Sequence, residues 1–362
     1  MSEQWYKDYA LLAFRIDKAI HKFTDSPYVD AYYGPSEWKT MVETEPERPA
    51  ADLVRSAMTL AGSLPAQGFD AQHVTYLGKQ VLALETLCRK LNGETFALED
   101  EVQRLYDIRP ARIPETLFEQ AHAIFDEVLP GDGSIFERRL ALRRKYELPR
   151  EKMGLLVGIM EQMMGEVCRR TQAFVELPEG EAIEIQVVSD KHYGGACWYL
   201  GNYRSHIDVN TDLPVSLNSL VNLVCHEGYP GHHTEAILKE QQLYRQRGHI
   251  DQAIVLLMSP HCLISEGIAT LASEMIFAPG EIERWLAEQV YPKVGIETDD
   301  IDIMKLERAK ELLEGVWGNA AFLLYEGRPD AEVMQYMLIP EEEVPKYVEF
   351  LKVPFAESYV FT

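Results

Sequence analysis

The chain has 362 residues, of which 46% are hydrophobic and 26% are charged, and its formal net charge is −23. This composition is typical of a globular protein with a large core, and it excludes a disordered or collagen-like chain. A protein this acidic is repelled by phosphate groups, so nucleic acid and anionic membrane surfaces are disfavoured as partners.

The N-terminal residues and the cysteines indicate the compartment. The first twenty residues interleave charges with apolar side chains and lack the basic start and apolar run of a signal peptide. No segment approaches the roughly 18 consecutive apolar residues of a membrane span. The five cysteines form no C-x-x-C pair, which suits reduced thiols. These features predict a cytoplasmic protein without a membrane partner, and they leave the oligomeric state unknown.

Apolar residues recur at three- and four-residue spacing through most of the chain, which predicts a mainly helical, α+β protein. The predicted helices of the first half are 5–25, 50–64, 72–92, 115–128, 134–146 and 152–174. Pro110 and Pro114 predict a break between the third and fourth of these helices. The tyrosine-rich stretch 26–35 either lines a substrate cleft or packs at a helix junction.

One β region is predicted, directly after Leu177-Pro178. Apolar residues alternate with other side chains through 183–188, which is typical of a strand with one solvated face. Two more strands are predicted at 196–200 and 206–209, so a small sheet precedes the next helix. After that helix, further helices are predicted at 235–246, 262–277, 305–324 and 331–337.

The stretch between the sheet and these later helices, VNLVCHEGYPGHHTE at 221–235, carries the clearest chemistry. It begins as a helix with one apolar face and ends at His226 and Glu227. In H-E-x-x-H, two histidines four residues apart share a helix face and bind zinc, and the glutamate acts as a base. Here Pro230 occupies the fourth position.

The next histidines cannot join His226 on an unbroken helix. His232 would lie about 120° off its face, and His233 would lie on the order of 10 Å along the axis. Ligands of one zinc ion lie only a few ångströms apart. Pro230 interrupts the helix, and Gly231 tolerates the dihedral angles of a bulge. A looped-out helix would therefore bring His232 to His226, and His233 is the alternative.

These residues resemble a known family. HEGYPGHH is similar to the H-E-x-x-P-G-H stretch of a bacterial family named domain of unknown function 885, whose members resemble gluzincin metallopeptidases. Glu266-Gly267-Ile268-Ala269 is similar to the family's E-G-W-A segment, with isoleucine in place of tryptophan. Pro354 to Tyr359 resembles its P-x-x-x-S-Y pattern. The resemblance covers roughly residues 105 to 362 and includes no counterpart of the histidine that such proteins often place on a late helix.

The resemblance implies a ligand set and a fold. Glu266 would join His226 and His232 as the third zinc ligand, and Tyr359 would hydrogen-bond the developing oxyanion. The fold would be a two-lobed helical, gluzincin-like body, with a helical lobe at 1–178 and the sheet and metal-binding helices at 179–362. An edge strand of the sheet would pair with an extended peptide, and the small residues Gly194-Gly195-Ala196 suit such an edge.

The function predicted from these residues is that of a zinc-dependent hydrolase, a metallopeptidase that cleaves short peptides. Glu227 would take a proton from metal-activated water and pass it to the leaving amine. The missing late histidine and Ile268 support an alternative, a catalytically impaired protein that binds metal or peptide without turnover. A non-peptide amidase is a further possibility, and a simple helix end with capping histidines would remove the metal site altogether.

Several nearby side chains are interpreted as having other roles. Glu274 would lie about two turns from Glu266 on the same helix face, where it would orient a ligating imidazole or pair with a basic residue. Cys225 is interpreted as a small residue of the buried helix face rather than as a nucleophile. The remaining histidines near the motif have no ligand spacing and are interpreted as structural, namely His206, His249 and His261.

Overall fold

A computed structural model describes residues 2–24, 27–191, 193–212, 214–337, 351–355 and 357–362. Helices make up most of this part of the chain and short strands form two small sheets, so the predicted mainly helical α+β class is confirmed. The helices are α1 (Ser2–Ile20), α2 (Ser36–Thr44), α3 (Ala50–Ser63), α4 (Ala71–Leu91), α5 (Leu98–Tyr106), α6 (Glu115–Val128), α7 (Ile135–Lys145), α8 (Leu156–Thr171), α9 (Leu217–Glu227), α10 (His232–Leu238), α11 (Pro260–Thr270), α12 (Ala272–Ile276), α13 (Glu281–Gln289), α14 (Tyr291–Val294), α15 (Ile303–Glu311), α16 (Val316–Tyr325) and α17 (Asp330–Met337). A π-helical segment, Lys239–Gln246, continues α10. Among the described residues, no helix combines the length and apolarity needed to cross a membrane.

Local sequence signals set the ends of several helices. The Asp70 side chain caps α4 by accepting a hydrogen bond from the backbone N–H of His73. Ser134 and Glu137 form a reciprocal capping box at the start of α7. The break predicted from Pro110 and Pro114 separates α5 from α6. These boundaries agree with the sequence-based prediction to within a few residues.

The three-stranded sheet lies where the sequence predicts it. Its strands are β2 (Ala182–Val188), β3 (Gly195–Gly201) and β4 (Arg204–Asn210), and their order in the sheet is β2-β4-β3. Strand β4 is parallel to β2 and antiparallel to β3. Strand β3 is therefore an edge strand of this sheet.

A second, two-stranded sheet was not predicted. Strand β1 (Val29–Tyr32) pairs antiparallel with β5 (Ile254–Leu256). The prediction of a single β region is wrong, because runs of three or four residues carry no periodicity and the partner strands lie far apart in sequence. In the tyrosine-rich stretch, Tyr28 is fully buried and Tyr33 lines a cavity, and the contact of this stretch with a substrate stays a prediction.

Two large cores flank the region of the predicted site. One is built from α1, α3, α4 and α5 with residues of β5, and the other from α8, α9, β4 and the helices α12 to α14. Helix α11 packs against α4 and α5 on one side and against α9 and α10 on the other. Because α8 shares the second core, that core includes residues before 178, and the division of the chain into lobes at 178 stays a prediction.

Candidate metal centre

Helix α9 presents two polar side chains at its C-terminal end. Its apolar face, including Val221 and Val224, is buried in the second core. Cys225 is also fully buried there, and burial raises the pKa of its thiol to about 12, so it belongs to the core as predicted. The packing of this face leaves His226 and Glu227 beside a cavity lined by both.

The chain breaks between α9 and α10 through a close backbone contact. The Gly231 N–H donates to the Cys225 carbonyl at 3.0 Å, and α10 begins at the next residue. A methyl group on Gly231 would lie 1.9 Å from the His226 carbonyl oxygen. Gly231 has φ −74° and ψ −136°, a combination outside the α and β regions, as predicted for glycine at this break, and its lack of a side chain also permits the close approach.

The break brings three of the predicted side chains together. His226 Nε2 lies 3.2 Å from His232 Nε2 and 3.4 Å from Glu266 Oε2. The distance from His232 Nε2 to Glu266 Oε1 is 3.7 Å. Each side chain offers one ligand atom, and all three atoms lie within 4.8 Å of one another. This arrangement is able to hold a metal ion.

The orientation of His232 is fixed by a hydrogen-bonded chain behind it. Its Nδ1 lies 3.1 Å from Ser265 Oγ, and the Ser265 hydroxyl donates its hydrogen to Glu235. The hydroxyl oxygen must therefore accept from Nδ1–H, which leaves a lone pair on Nε2 facing the cluster. Burial lowers the pKa of His232, which also favours this neutral ring.

His233 faces away from the cluster. Its side chain is fully buried, its Nδ1 lies 2.8 Å from Ser205 Oγ, and its Nε2 lies 3.0 Å from Glu181 Oε2. Both ring nitrogens are thus engaged elsewhere. Of the two histidines left open by the sequence, the structure places His232 beside His226.

Glu227 is buried and lines the cavity. Burial raises the pKa of its carboxyl to about 7, opposed by the neighbouring His226 and reinforced by the charge of Glu266. A hydrogen bond from the backbone of Cys197, in β3, partly stabilises the ionised form. The edge strand of the sheet is therefore in direct contact with the predicted base.

Tyr359 is also at the site, but its hydroxyl is engaged. It donates to Glu266 Oε1 at 2.6 Å, and burial raises its pKa. The C-terminal segment that carries it is held against the first core by Ser358, whose hydroxyl lies 3.3 Å from Glu101 Oε1. In this arrangement Tyr359 orients the Glu266 carboxylate, and its predicted bond to an oxyanion stays a prediction.

The prediction for Glu274 is wrong. Glu274 is exposed on α12, after an interruption of the predicted helix 262–277 at Leu271, so it is not a buried carboxylate behind a ligating imidazole. Gly195 also has a packing role, and its predicted role at the edge of β3 stays a prediction. A methyl group there would lie 2.6 Å from Leu223 Cδ1, so its small size makes room for α9.

Sequence analysis missed two acidic residues of the site. Glu235 accepts the hydrogen bond of Ser265, which in turn orients His232. The sequence pointed to Glu235 only through its position one helical turn after His232. Asp30, on β1, lines the same cavity as His226 and Glu266, and burial together with the charge of Glu266 raises its pKa to about 6. No local pattern points to Asp30, because its contact with the site is formed by the packing of distant segments.

Comparisons with known proteins concern the fold only. No protein family model matches the chain, and no curated protein matches its sequence significantly. A similar solved structure is the crystal structure of the putative lipoprotein from Colwellia psychrerythraea, with a TM-score of 0.52 and 16% sequence identity. The similarity covers 85% of this chain and 58% of the other, so this chain spans less than two thirds of that protein's length.

Proposed function

We propose that the chain is a zinc-dependent hydrolase that cleaves amide bonds of short peptides. The observation that carries the proposal is the convergence of His226, His232 and Glu266. Ligands of a tetrahedral zinc at about 2.0–2.1 Å lie roughly 3.3–3.4 Å apart. The separations from His226 Nε2 to His232 Nε2 and to Glu266 Oε2, 3.2 and 3.4 Å, are close to this value, and His232 Nε2 lies 3.7 Å from the other oxygen of Glu266. Two imidazoles and one carboxylate also match the ligand set of catalytic zinc sites.

A bound zinc ion would supply an acidified water and a Lewis acid for the substrate carbonyl. The chain's own residues would do the rest. Glu227, buried and with a pKa near neutrality, would accept the proton of the attacking water and donate it to the leaving amine. Tyr359 would keep Glu266 in its ligating orientation through its 2.6 Å hydrogen bond.

The cavity supports a peptide as the substrate. It has a volume of about 1410 Å³ and is lined by residues 195 to 199 of the edge strand β3. This exceeds the roughly 300–1,000 Å³ of a typical small-molecule site. An extended peptide would add to the edge strand through main-chain hydrogen bonds, which give affinity with little sequence preference.

Membership of the domain of unknown function 885 family and a gluzincin-like fold belong to the same proposal. They are supported by the motifs at His226, Glu266 and Tyr359, which the fold brings to one cavity. The cytoplasmic location, and the lack of nucleic-acid and membrane partners, stay predictions from the composition.

One observation favours the alternative, a protein that binds metal or peptide without turnover. The hydroxyl hydrogen of Tyr359 is donated to Glu266 and is not free for an oxyanion. The enzyme proposal requires that Tyr359 reorient on substrate binding or that zinc alone stabilise the oxyanion.

Elemental mass spectrometry of the purified protein tests the metal site. We expect one zinc per chain in the wild type and in His233→Ala, and no stoichiometric zinc in His226→Ala, His232→Ala or Glu266→Ala. Absence of zinc from the wild type, even after zinc is supplied, would refute the proposal.

Hydrolysis of a library of short peptides tests catalysis. Glu227→Gln should keep its zinc and lose turnover, because the amide retains the shape of the carboxylate but cannot take the proton. Zinc binding without any product in the wild type would support the binding protein instead.

A further inference from the structure

Asp30 occupies an irregular position on β1. Val29 pairs with Leu256 and Ala31 pairs with Val255, so Asp30 is the extra residue of a β-bulge. Bulges change the direction of a side chain and are frequent beside functional sites. Here the bulged residue lines the same cavity as the candidate metal centre.

Within the described part of the chain, the Asp30 carboxylate has no hydrogen-bond or ion-pair partner, and its pKa is affected only by burial and by the charge of Glu266. The negative charge of Glu266 raises the pKa of Asp30, and the negative charge of Asp30 raises the pKa of Glu227. Both of these neighbouring groups are therefore acidic. A partly desolvated carboxylate in such a position is destabilising unless a cation joins it.

Two of the lysines that line the cavity are already paired. Lys239 pairs with Glu235, and Lys352 pairs with Asp330 at 2.6 Å. Lys191 also lines the cavity and is exposed to solvent. In the described part of the chain, none of these three lysines forms an ion pair with Asp30.

A metal ion would not neutralise Asp30 either. The two charges of a zinc ion are matched by the carboxylates of Glu266 and Glu227. Asp30 therefore keeps one negative charge in a cavity large enough for a peptide. A carboxylate in this position attracts a cationic group of the substrate.

We propose that Asp30 binds a primary ammonium group of the substrate and so selects peptides that carry one beside the scissile bond. This inference rests on the proposed function and specifies its substrate class. Two sources supply the same chemistry, a free α-amino group at a peptide N-terminus and a lysine side chain. Selection of the α-amino group would make the enzyme cleave from the amino end.

Calorimetric titration with three pentapeptides tests the proposal. The first has a free N-terminus and no lysine, the second is N-acetylated and contains one lysine, and the third is N-acetylated without lysine. The protein carries Glu227→Gln and supplied zinc, so that peptides are not consumed. We expect one of the two ammonium peptides to bind roughly 10- to 100-fold more tightly than the neutral third. Whichever binds more tightly identifies the source.

Asp30→Asn should abolish this preference, because the amide keeps the shape and removes the charge. Asp190→Asn is the matched control, since it removes one negative charge from an exposed position of the same cavity. The control should keep the preference. It also suits the site, because Asp190 has φ +57° and asparagine tolerates the left-handed region.

Three outcomes would overturn the proposal: equal affinity for all three peptides, a preference that survives Asp30→Asn, or no binding of any peptide. Zinc content and hydrolysis by the wild type are measured in parallel. These two measurements distinguish a wrong role for Asp30 from a wrong assignment of the protein as a zinc hydrolase. A zinc enzyme that cleaves the neutral peptide as fast as the others refutes only the role of Asp30. An ammonium preference lost in Asp30→Asn, in a protein with neither zinc nor turnover, refutes only the hydrolase.

Discussion

Replacement of Gly231 by alanine should disrupt the metal centre without touching any ligand. The added methyl group would lie 1.9 Å from the His226 carbonyl oxygen and 2.5 Å from that of Cys225. Real Cβ atoms essentially never come closer than 3.0 Å to such atoms, so the backbone must move by about 1 Å. Both oxygens belong to α9, so the movement separates His226 from His232.

The size of the effect follows from this displacement. Metal sites tolerate deviations of roughly 0.2 Å in ligand distance, so a shift five times larger should abolish stoichiometric zinc binding. Overpacking costs about 1–3 kcal/mol, and loss of the Gly231 N–H to Cys225 bond adds about 1 kcal/mol. We therefore expect Gly231→Ala to lower the free energy of unfolding by about 2–4 kcal/mol.

Urea unfolding and zinc content, measured on the same preparations, check this prediction. Gly267→Ala is the matched control, since Gly267 lies inside α11 beside Glu266 and its methyl group would meet no atom within 4 Å. Alanine in a helix interior should stabilise this variant by about 0.5–1 kcal/mol and leave zinc binding intact. A Gly231→Ala protein with one zinc and a wild-type unfolding midpoint would show that the break does not position His232.

Three further predictions concern side chains around the site. Ser265→Ala should weaken zinc binding by roughly 10- to 100-fold, because His232 loses the acceptor that orients it; competition with a chelator measures this, and an unchanged affinity would contradict the proposed orientation. His233→Ala should keep one zinc but lose about 1–3 kcal/mol of stability in urea, because the buried Ser205 loses this partner and Glu181 keeps only the hydrogen bond from Tyr229; loss of zinc instead would make His233 a ligand. Burial and the adjacent Lys239 lower the pKa of His261 to about 3, so this ring is neutral in the folded protein while the unfolded chain takes up a proton below its ordinary pKa. The free energy of unfolding should therefore decrease as the pH is lowered, and this group should contribute on the order of 2 kcal/mol to the decrease between pH 7 and pH 5. His261→Gln should remove that contribution, as measured by urea unfolding at both pH values.

Sequence reasoning located the parts of the site that local patterns encode. The apolar face of α9 places His226 and Glu227 at a helix end, and the Pro-Gly pair marks the break after it. Both signals come from residues within one or two helical turns of each other. The helices with strong periodicity were found for the same reason, and so was the sheet with alternating residues.

The missed features depend on contacts between distant segments. Strand β1 is defined by pairing with β5, and Asp30 reaches the cavity only because of that pairing. The role of Ser265 requires that α11 pack against α10, which no local pattern shows. The packing of Gly195 against Leu223 was not predicted, because the two residues are close in space and not in sequence.

The site also differs from H-E-x-x-H in what holds it together. With four-residue spacing, helix periodicity alone brings two histidines to one face. Here the six-residue spacing between His226 and His232 requires the Gly231 backbone to contact α9, and the orientation of His232 requires Ser265 from α11. Three helices must therefore pack before the ligand atoms meet. Zinc should bind only the fully folded chain, so zinc should raise the unfolding midpoint by an amount that grows with its concentration.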